Sequence, residues 1–121
     1  MPVKKILVVD DSPTERFAMA EFLTKNGFAV VMAENGEDGV AKARAELPDL
    51  ILMDVVMPGI NGYQATRTIS RDEATRNIPI IMTTSKDQET DKIWGMRQGA
   101  FDYMTKPVNQ DDLLKKIAAI G

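Results

Sequence analysis

Residues 4–27 read KKILVVDDSPTERFAMAEFLTKNG, and they carry the strand-to-helix pattern that indicates the architecture of the chain. The run from Ile6 to Val9 is continuously apolar, which is typical of a strand buried on both faces of a sheet. A helix start follows two aspartates, with an N-cap at Ser12 and a capping-box acid at Glu15. Gly27 supplies the stop at the carboxyl end. The stretch therefore predicts a buried strand that runs directly into a helix.

Four more short apolar runs, each bounded by Gly, Pro, Asp or Asn, predict further strands. They cover Phe28 to Met32, Leu50 to Met53, Ile78 to Met82 and Phe101 to Met104. Because segments of helical spacing lie between them, we expect an α/β fold. Its core is a doubly wound five-stranded parallel sheet with helices on both faces.

Apolar residues at helical spacing predict the helices between these strands. They are Phe17, Ala20 and Leu23 in the first helix, Val40, Ala43 and Leu47 before Pro48 in the second, and Leu113, Ile117 and Ile120 behind an Asn109 cap in the last. The polar segments from Gly62 to Arg71 and from Asp87 to Arg97 predict the other two helices. Trp94, in the second of them, either packs partly on a neighbouring helix or is an exposed anchor for a partner.

Composition narrows the classes of function. A length of 121 residues predicts one domain over residues 1–121. The net charge of −3 and the lack of a basic block argue against nucleic acid as a partner. The chain has no cysteine and no histidine, which excludes disulfides, thiol nucleophiles, histidine-based triads and histidine-ligated zinc. The apolar runs are too short for a signal peptide or a membrane span, so we expect a cytoplasmic protein without a membrane partner.

Side chains that can act in catalysis or metal binding follow the predicted strands. They are Asp10 and Asp11 after the first strand, Asp54 after the third, Thr84 and Ser85 after the fourth, and Lys106 after the fifth. Taken singly, each of them is explained by a helix cap, a turn or a solvated surface position. Because the carboxyl ends of parallel strands meet at one edge of a sheet, we expect them to converge in one cleft.

Three converging carboxylates need positive charge. Unit charges ~4 Å apart at an effective dielectric of ~20 repel by ~4 kcal/mol, so a divalent cation is expected among them. Oxygen ligands without histidine or cysteine favour Mg²⁺, and Lys106 completes the neutralisation.

This equipment suits the acceptance of a phosphoryl group. Asp54 is the expected nucleophile, while Asp11 binds the metal directly and Asp10 helps to hold it. Thr84 and Lys106 are expected to contact the phosphoryl oxygens.

These motifs together resemble the receiver domain of two-component response regulators. They are VVDD at 8–11, LMD at 52–54, MPGING at 57–62, TTS at 83–85 and YMTKP at 103–107. The resemblance covers essentially the whole chain and implies the CheY-like, flavodoxin-like strand order 2-1-3-4-5. Within the family the chain most resembles the stand-alone, CheY-like regulators of type IV pilus twitching motility, particularly over residues 84–99, which implies a role in twitching motility and chemotaxis-like signalling.

The resemblance also implies a phosphoryl donor and a switch. The donor is a phosphohistidine on a sensor histidine kinase, and the backbone carbonyl of Val56 is a further metal ligand. The Lys106–Pro107 bond is expected to be cis. Thr84 moves toward the phosphoryl group as the ring of Tyr103 turns inward, and the surface of helix 4, strand 5 and helix 5 then changes for a downstream protein target. Tyr103 alone would also fit a strand aromatic with its hydroxyl at the surface.

Two other classes of function stay open, as does the choice between signalling and draining phosphoryl groups from the kinase. A phosphatase of the haloacid-dehalogenase kind uses similar groups, but it needs a second acid where Val56 stands. A scaffold or binding module that is never phosphorylated would leave Asp54 and Lys106 idle, and no glycine-rich nucleotide motif is present. We expect a monomer, with dimerisation on phosphorylation left open.

Overall fold

The computed structural model describes residues 2–55, 57, 59–84 and 89–120. Strands and helices alternate along the chain. In order, they are β1 (Lys5–Val9), α1 (Pro13–Lys25), β2 (Ala29–Ala33), α2 (Gly36–Glu46), β3 (Leu50–Asp54), α3 (Gly62–Arg71), β4 (Ile80–Thr84), α4 (Glu89–Arg97), β5 (Asp102–Thr105) and α5 (Gln110–Ile120). None of the helices in these ranges combines the length and the apolar character needed to cross a membrane.

The strands form one parallel sheet in the order β2-β1-β3-β4-β5, which confirms the predicted fold class and strand order. The order reverses beside β1, since the chain first moves outward to β2 and then returns to β3. Such a reversal opens a crevice at the carboxyl ends of the neighbouring strands. The carboxyl end of β1 lies next to that of β3, so residues after Val9 and residues near Asp54 meet there.

Alternate side chains of the strands build two hydrophobic cores, one on each face of the sheet. Leu7 and Val9 of β1 face a core that α2 and α3 cover, with Ala43 and Ile69 among its buried residues. Their neighbours along β1 face the other core, to which α1 and α5 contribute Leu23, Leu113 and Ile117. Burial on both faces explains why the strand sequences are continuously apolar.

Three strands begin later than predicted. The amide of Phe28 donates to the carbonyl of Leu23 at 3.1 Å, so Phe28 closes α1 instead of starting β2. Pro79 has no amide hydrogen, and β4 begins after it at Ile80. Phe101 precedes β5, and its side chain is 52% exposed.

Two predicted core positions on the helices are wrong. Leu47 ends α2 in the left-handed region, with φ of 45°, and is 56% exposed, because Pro48 disfavours helical backbone in the residue before it. Phe17 is 55% exposed, since Met19, Phe22 and Leu23 form the face of α1 that packs on the sheet. The predicted ranges of α3 and the end of α4 are confirmed.

A lysine side chain of α2 contacts the edge strand β2. Lys42 of α2 donates from its ammonium to the carbonyl of Met32 and also pairs with Asp38 at 3.3 Å. The side chain thereby ties α2 to the outermost strand.

Candidate functional site

Backbone hydrogen bonds fix the strand ends that carry the site. Beyond β1, the amide of Asp10 donates to the carbonyl of Ala33 at 3.1 Å. Beyond β5, the amide of Lys106 donates to the carbonyl of Thr84 at 2.6 Å. Asp54 and Thr84 were predicted to follow their strands. In the structure they are the last residues of β3 and β4 and so lie within the strands. The sheet therefore positions these side chains through its own ladder.

The three predicted acids form one cluster at this edge. Asp10, Asp11 and Asp54 each offer a carboxylate oxygen, and these oxygens all lie within 4.8 Å of one another. Asp10 and Asp54 are buried, while Asp11 is exposed at the mouth. The amide of Ser12 donates to Oδ1 of Asp10 at 2.9 Å and holds that carboxylate in place.

Lys106 reaches into the cluster from the end of β5. Its Nζ lies 3.2 Å from Oδ2 of Asp10, 3.2 Å from Oδ1 of Asp54 and 2.8 Å from Oε2 of Glu15. The Lys106–Pro107 peptide bond is cis, as the resemblance implied. The structure thus brings together four predicted site residues: Asp10, Asp11, Asp54 and Lys106.

The carboxylates carry more negative charge than Lys106 offsets. Burial, followed by repulsion from Asp10, raises the pKa of Asp54 from its ordinary 3.8 to about 6, against the opposing effect of Lys106. The pKa of Asp10 is also raised, mainly by burial. Burial on its own lowers the pKa of Lys106, but contacts with Glu15, Asp54 and Asp10 outweigh it and raise that pKa.

A hard divalent cation fits this cluster. The oxygens that the described residues offer are all carboxylate oxygens, which Mg²⁺ prefers, and three carboxylates with a single lysine beside them leave negative charge to be offset. Asp10, Asp11 and Asp54 are the residues that would hold the ion. Val56, whose carbonyl is the fourth predicted ligand, lies outside the described residues, as does Ser85.

The two predicted switch residues lie on neighbouring strands, and both are buried. Thr84 is 1% exposed. Tyr103 is 9% exposed and belongs to the core beneath α3, so its ring lies inside in this structure. Gly95 of α4 packs close to both Met82 and Tyr103, since a Cβ there would lie 2.9 Å from Sδ of Met82 and 3.6 Å from Cδ2 of Tyr103.

Sequence reasoning missed two residues of the site. Glu15 was predicted as a capping-box acid, but the Ser12 amide that it would accept is bonded to Asp10 instead, and its carboxylate contacts Lys106. Thr83 lines a cavity of about 220 Å³ that Asp10, Glu15 and Lys106 also line. Alternation along β4 was a usable signal for Thr83, because its register partner is Asp54.

Comparison with known proteins gives consistent results. The family model for the response regulator receiver domain matches residues 6–118. The chain is 60% identical to protein PilH of Pseudomonas aeruginosa over 116 residues, which are 96% of each chain.

Two solved structures share the fold. Chemotaxis protein CheY4 of Vibrio cholerae is 30% identical with a TM-score of 0.91, and the match covers 98% of this chain and 99% of CheY4. The receiver domain of the Pseudomonas aeruginosa sensor histidine kinase PA1611 is 31% identical, with a TM-score of 0.87 and coverage of 95% and 94%. The PA1611 structure has a magnesium ion coordinated in its active site cleft. The fold, the cluster of acids with its lysine, and these matches lead to one conclusion: the chain belongs to the response regulator receiver domain family.

Proposed function

We propose that this receiver domain accepts a phosphoryl group on Asp54 from a phosphohistidine of a sensor histidine kinase. The observation that carries the proposal is the contact of Lys106 with the buried carboxylate of Asp54, at 3.2 Å, inside a cluster of three acids. The chain has no histidine of its own, so the donor is a separate protein or domain.

In the transfer, the bond between the donor nitrogen and phosphorus breaks and a bond forms from phosphorus to a carboxylate oxygen of Asp54. The histidine nitrogen keeps the electron pair. Asp10, Asp11 and Asp54 would hold Mg²⁺, with the Val56 carbonyl as a further proposed ligand, and the ion would supply positive charge that stabilises the phosphoryl oxygens. Lys106 supplies the second positive charge, and Thr84 donates its hydroxyl to a phosphoryl oxygen. The protein acts on itself alone in this reaction and in the later hydrolysis of its aspartyl phosphate.

We propose that phosphorylation changes the surface formed by α4, β5 and α5 through Thr84 and Tyr103. Both are buried on neighbouring strands, and Met82, the register partner of Tyr103, lies two residues before Thr84, so a movement of Thr84 is expected to reach Tyr103 through the packing between them. Exposed apolar side chains on α4 support a protein-binding role for this surface. They are Ile93, Trp94 and Met96, which are 50%, 47% and 41% exposed. The expected partner there is a downstream protein target.

The cellular role that we propose is regulation of twitching motility, by signalling or by draining phosphoryl groups from the kinase. It rests on the similarity to PilH over nearly all of both chains. A deletion strain with normal twitching would contradict this role without touching the chemistry of Asp54.

The chemistry is tested by incubating the protein with Mg²⁺ and phosphoramidate and measuring its intact mass. We expect one phosphoryl adduct. It should not form when Mg²⁺ is chelated beforehand, and it should not form in Asp54→Ala. Asp49→Ala is the matched control, since Asp49 directly precedes β3 at the end opposite to Asp54 and its replacement should leave the adduct intact. Labelling that persists in Asp54→Ala would overturn the proposal, and rapid turnover of a generic phosphomonoester would favour a phosphatase.

A further inference from the structure

Glu15 is placed by a helix cap that leaves its carboxylate available. As the third residue of α1, it donates its amide to Oγ of Ser12 at 3.3 Å, the first half of a capping box. The second half would need the Ser12 amide, which donates to Oδ1 of Asp10 at 2.9 Å. The site therefore uses the partner that Glu15 would otherwise have, and the Glu15 carboxylate turns to Lys106.

The contact with Glu15 is the shortest of the three carboxylate contacts of Lys106. It measures 2.8 Å, against 3.2 Å to Asp10 and 3.2 Å to Asp54. An ammonium has three N–H donors, and those of Lys106 donate to Asp10 and Glu15, while Asp54 lies at ion-pair distance. A phosphoryl group on Asp54 takes over the contact with Asp54, and any further phosphoryl oxygen that binds Lys106 must displace Glu15 or Asp10.

Glu15 is the carboxylate that is easiest to displace. Its side chain is 53% exposed, so water replaces the lost contact at little cost, whereas the side chain of Asp10 is 10% exposed and is also held by Ser12. Its negative charge remains close to Lys106 after release, where it repels a phosphoryl dianion and attracts a cation.

Resting on the phosphoryl acceptance proposed above, we propose that Glu15 is a positioning residue that competes with phosphoryl oxygens for Lys106. It holds the ammonium in the unmodified protein and weakens the phosphorylated state. The same charge strengthens binding of the metal ion. Glu15 thus sets the balance between the two ligands of the site.

The predicted signature is a pair of opposite changes in Glu15→Gln. Beryllofluoride, which mimics a phosphoryl group on a carboxylate, should bind about two- to fivefold more tightly at saturating Mg²⁺, the range expected from loss of one exposed ion pair. Mg²⁺ alone should bind about twofold more weakly, because one negative charge near the cluster is gone. Simple damage to the fold would weaken both.

The experiment measures both affinities for the full chain, Mg²⁺ by calorimetry and beryllofluoride by fluorine NMR. Glu21→Gln is the matched control, since Glu21 lies on the same helix and pairs with Lys25 in an exposed contact of 2.9 Å. The control removes the same charge and should leave both affinities unchanged.

The outcomes separate this inference from the proposed function. Opposite shifts in Glu15→Gln alone support competition for Lys106. Shifts in the same direction, no shifts, or equal shifts in Glu21→Gln overturn it while phosphorylation of Asp54 stands. A wild-type protein that binds no beryllofluoride and takes no phosphoryl group from phosphoramidate overturns both.

Discussion

Asp49 directly precedes strand β3 and Asp54 is its last residue, and their surroundings shift the pKa of the two carboxyl groups in opposite directions. Asp49 is exposed before the first residue of the strand, and its Oδ2 accepts the amides of Lys4 and Lys5 at 2.9 Å each. These hydrogen bonds lower the pKa of Asp49. Asp54, the last residue of the strand, is buried beside Asp10, and its pKa is raised to about 6.

The difference separates a carboxylate that stabilises the fold from one that the fold holds at a cost. Asp49 joins the start of β1 to the start of β3 and favours folding when it is ionised. Burial and the neighbouring charge of Asp10 both oppose ionisation of Asp54, so its ionisation lowers the free energy of unfolding. Among the described residues, the two aspartates with a raised pKa, Asp10 and Asp54, both lie at the edge where the site is.

The largest expected effect breaks the packing behind Asp54. In Gly62→Ala, the new Cβ would lie 2.2 Å from the carbonyl oxygen of Asp54 and 2.8 Å from Cα of Val55, so backbone must move. We expect the free energy of unfolding, measured with urea, to fall by about 3 kcal/mol or more.

Gly27→Ala is the control for that change, at the opposite edge of the sheet. Gly27 has φ of 91° and no atom within 4 Å of a Cβ position, so only backbone strain of about 1 kcal/mol is expected. Equal losses in the two variants would contradict the close packing behind Asp54.

The next effect has the opposite sign and removes the charge of Asp54 itself. At neutral pH without Mg²⁺, Asp54→Asn should raise the free energy of unfolding by up to about 3 kcal/mol, from ~1.4 kcal/mol per unit of pKa difference. Because the folded pKa lies above the ordinary 3.8, the wild-type protein loses stability as the pH rises through about 6. Urea unfolding at several pH values should show the advantage of the variant vanish below 3.8. A variant less stable than the wild type at neutral pH would contradict the destabilising effect assigned to the ionised carboxylate of Asp54.

The smallest effect tests the other end of the strand. Asp49→Ala should lower the free energy of unfolding by about 1 kcal/mol at neutral pH, since two exposed amides lose a charged acceptor. The folded pKa of Asp49 is depressed, so its contribution is present above the ordinary pKa of 3.8 and is lost as the pH falls through the folded value. The loss of unfolding free energy in Asp49→Ala should therefore shrink in acid, because protonation removes the stabilising charge of Asp49. The gain in Asp54→Asn also shrinks in acid, but there protonation removes a destabilising charge. A difference that does not change with pH would show that Asp49 acts without its charge.

The sequence predicted the convergence of Asp10, Asp11, Asp54 and Lys106, because the carboxyl ends of parallel strands meet whatever the details of packing. It also predicted the range of α3, Gly62 to Arg71, from a thin apolar stripe in a polar segment. It failed where two neighbours compete for one group. Phe28 looked like a strand residue, but its amide was needed by α1, and Glu15 looked like a cap, but Asp10 had taken the amide of Ser12.

Leu47 shows a third kind of limit. Its spacing matched the apolar stripe of α2, yet the neighbouring proline turned its backbone away from the helix. Local spacing predicts which face of an element is apolar, and it loses that power in the last turn.

The ammonium of Lys42, bound to the carbonyl of Met32, has a consequence for how molecules meet. β2 is one of the two edge strands of the sheet, and an uncovered edge strand would offer its backbone to a second copy. A second copy approaching through this side would have to displace the Lys42 ammonium and its Asp38 partner before it could pair with the Met32 carbonyl. Growth of the sheet from molecule to molecule is therefore disfavoured at that side.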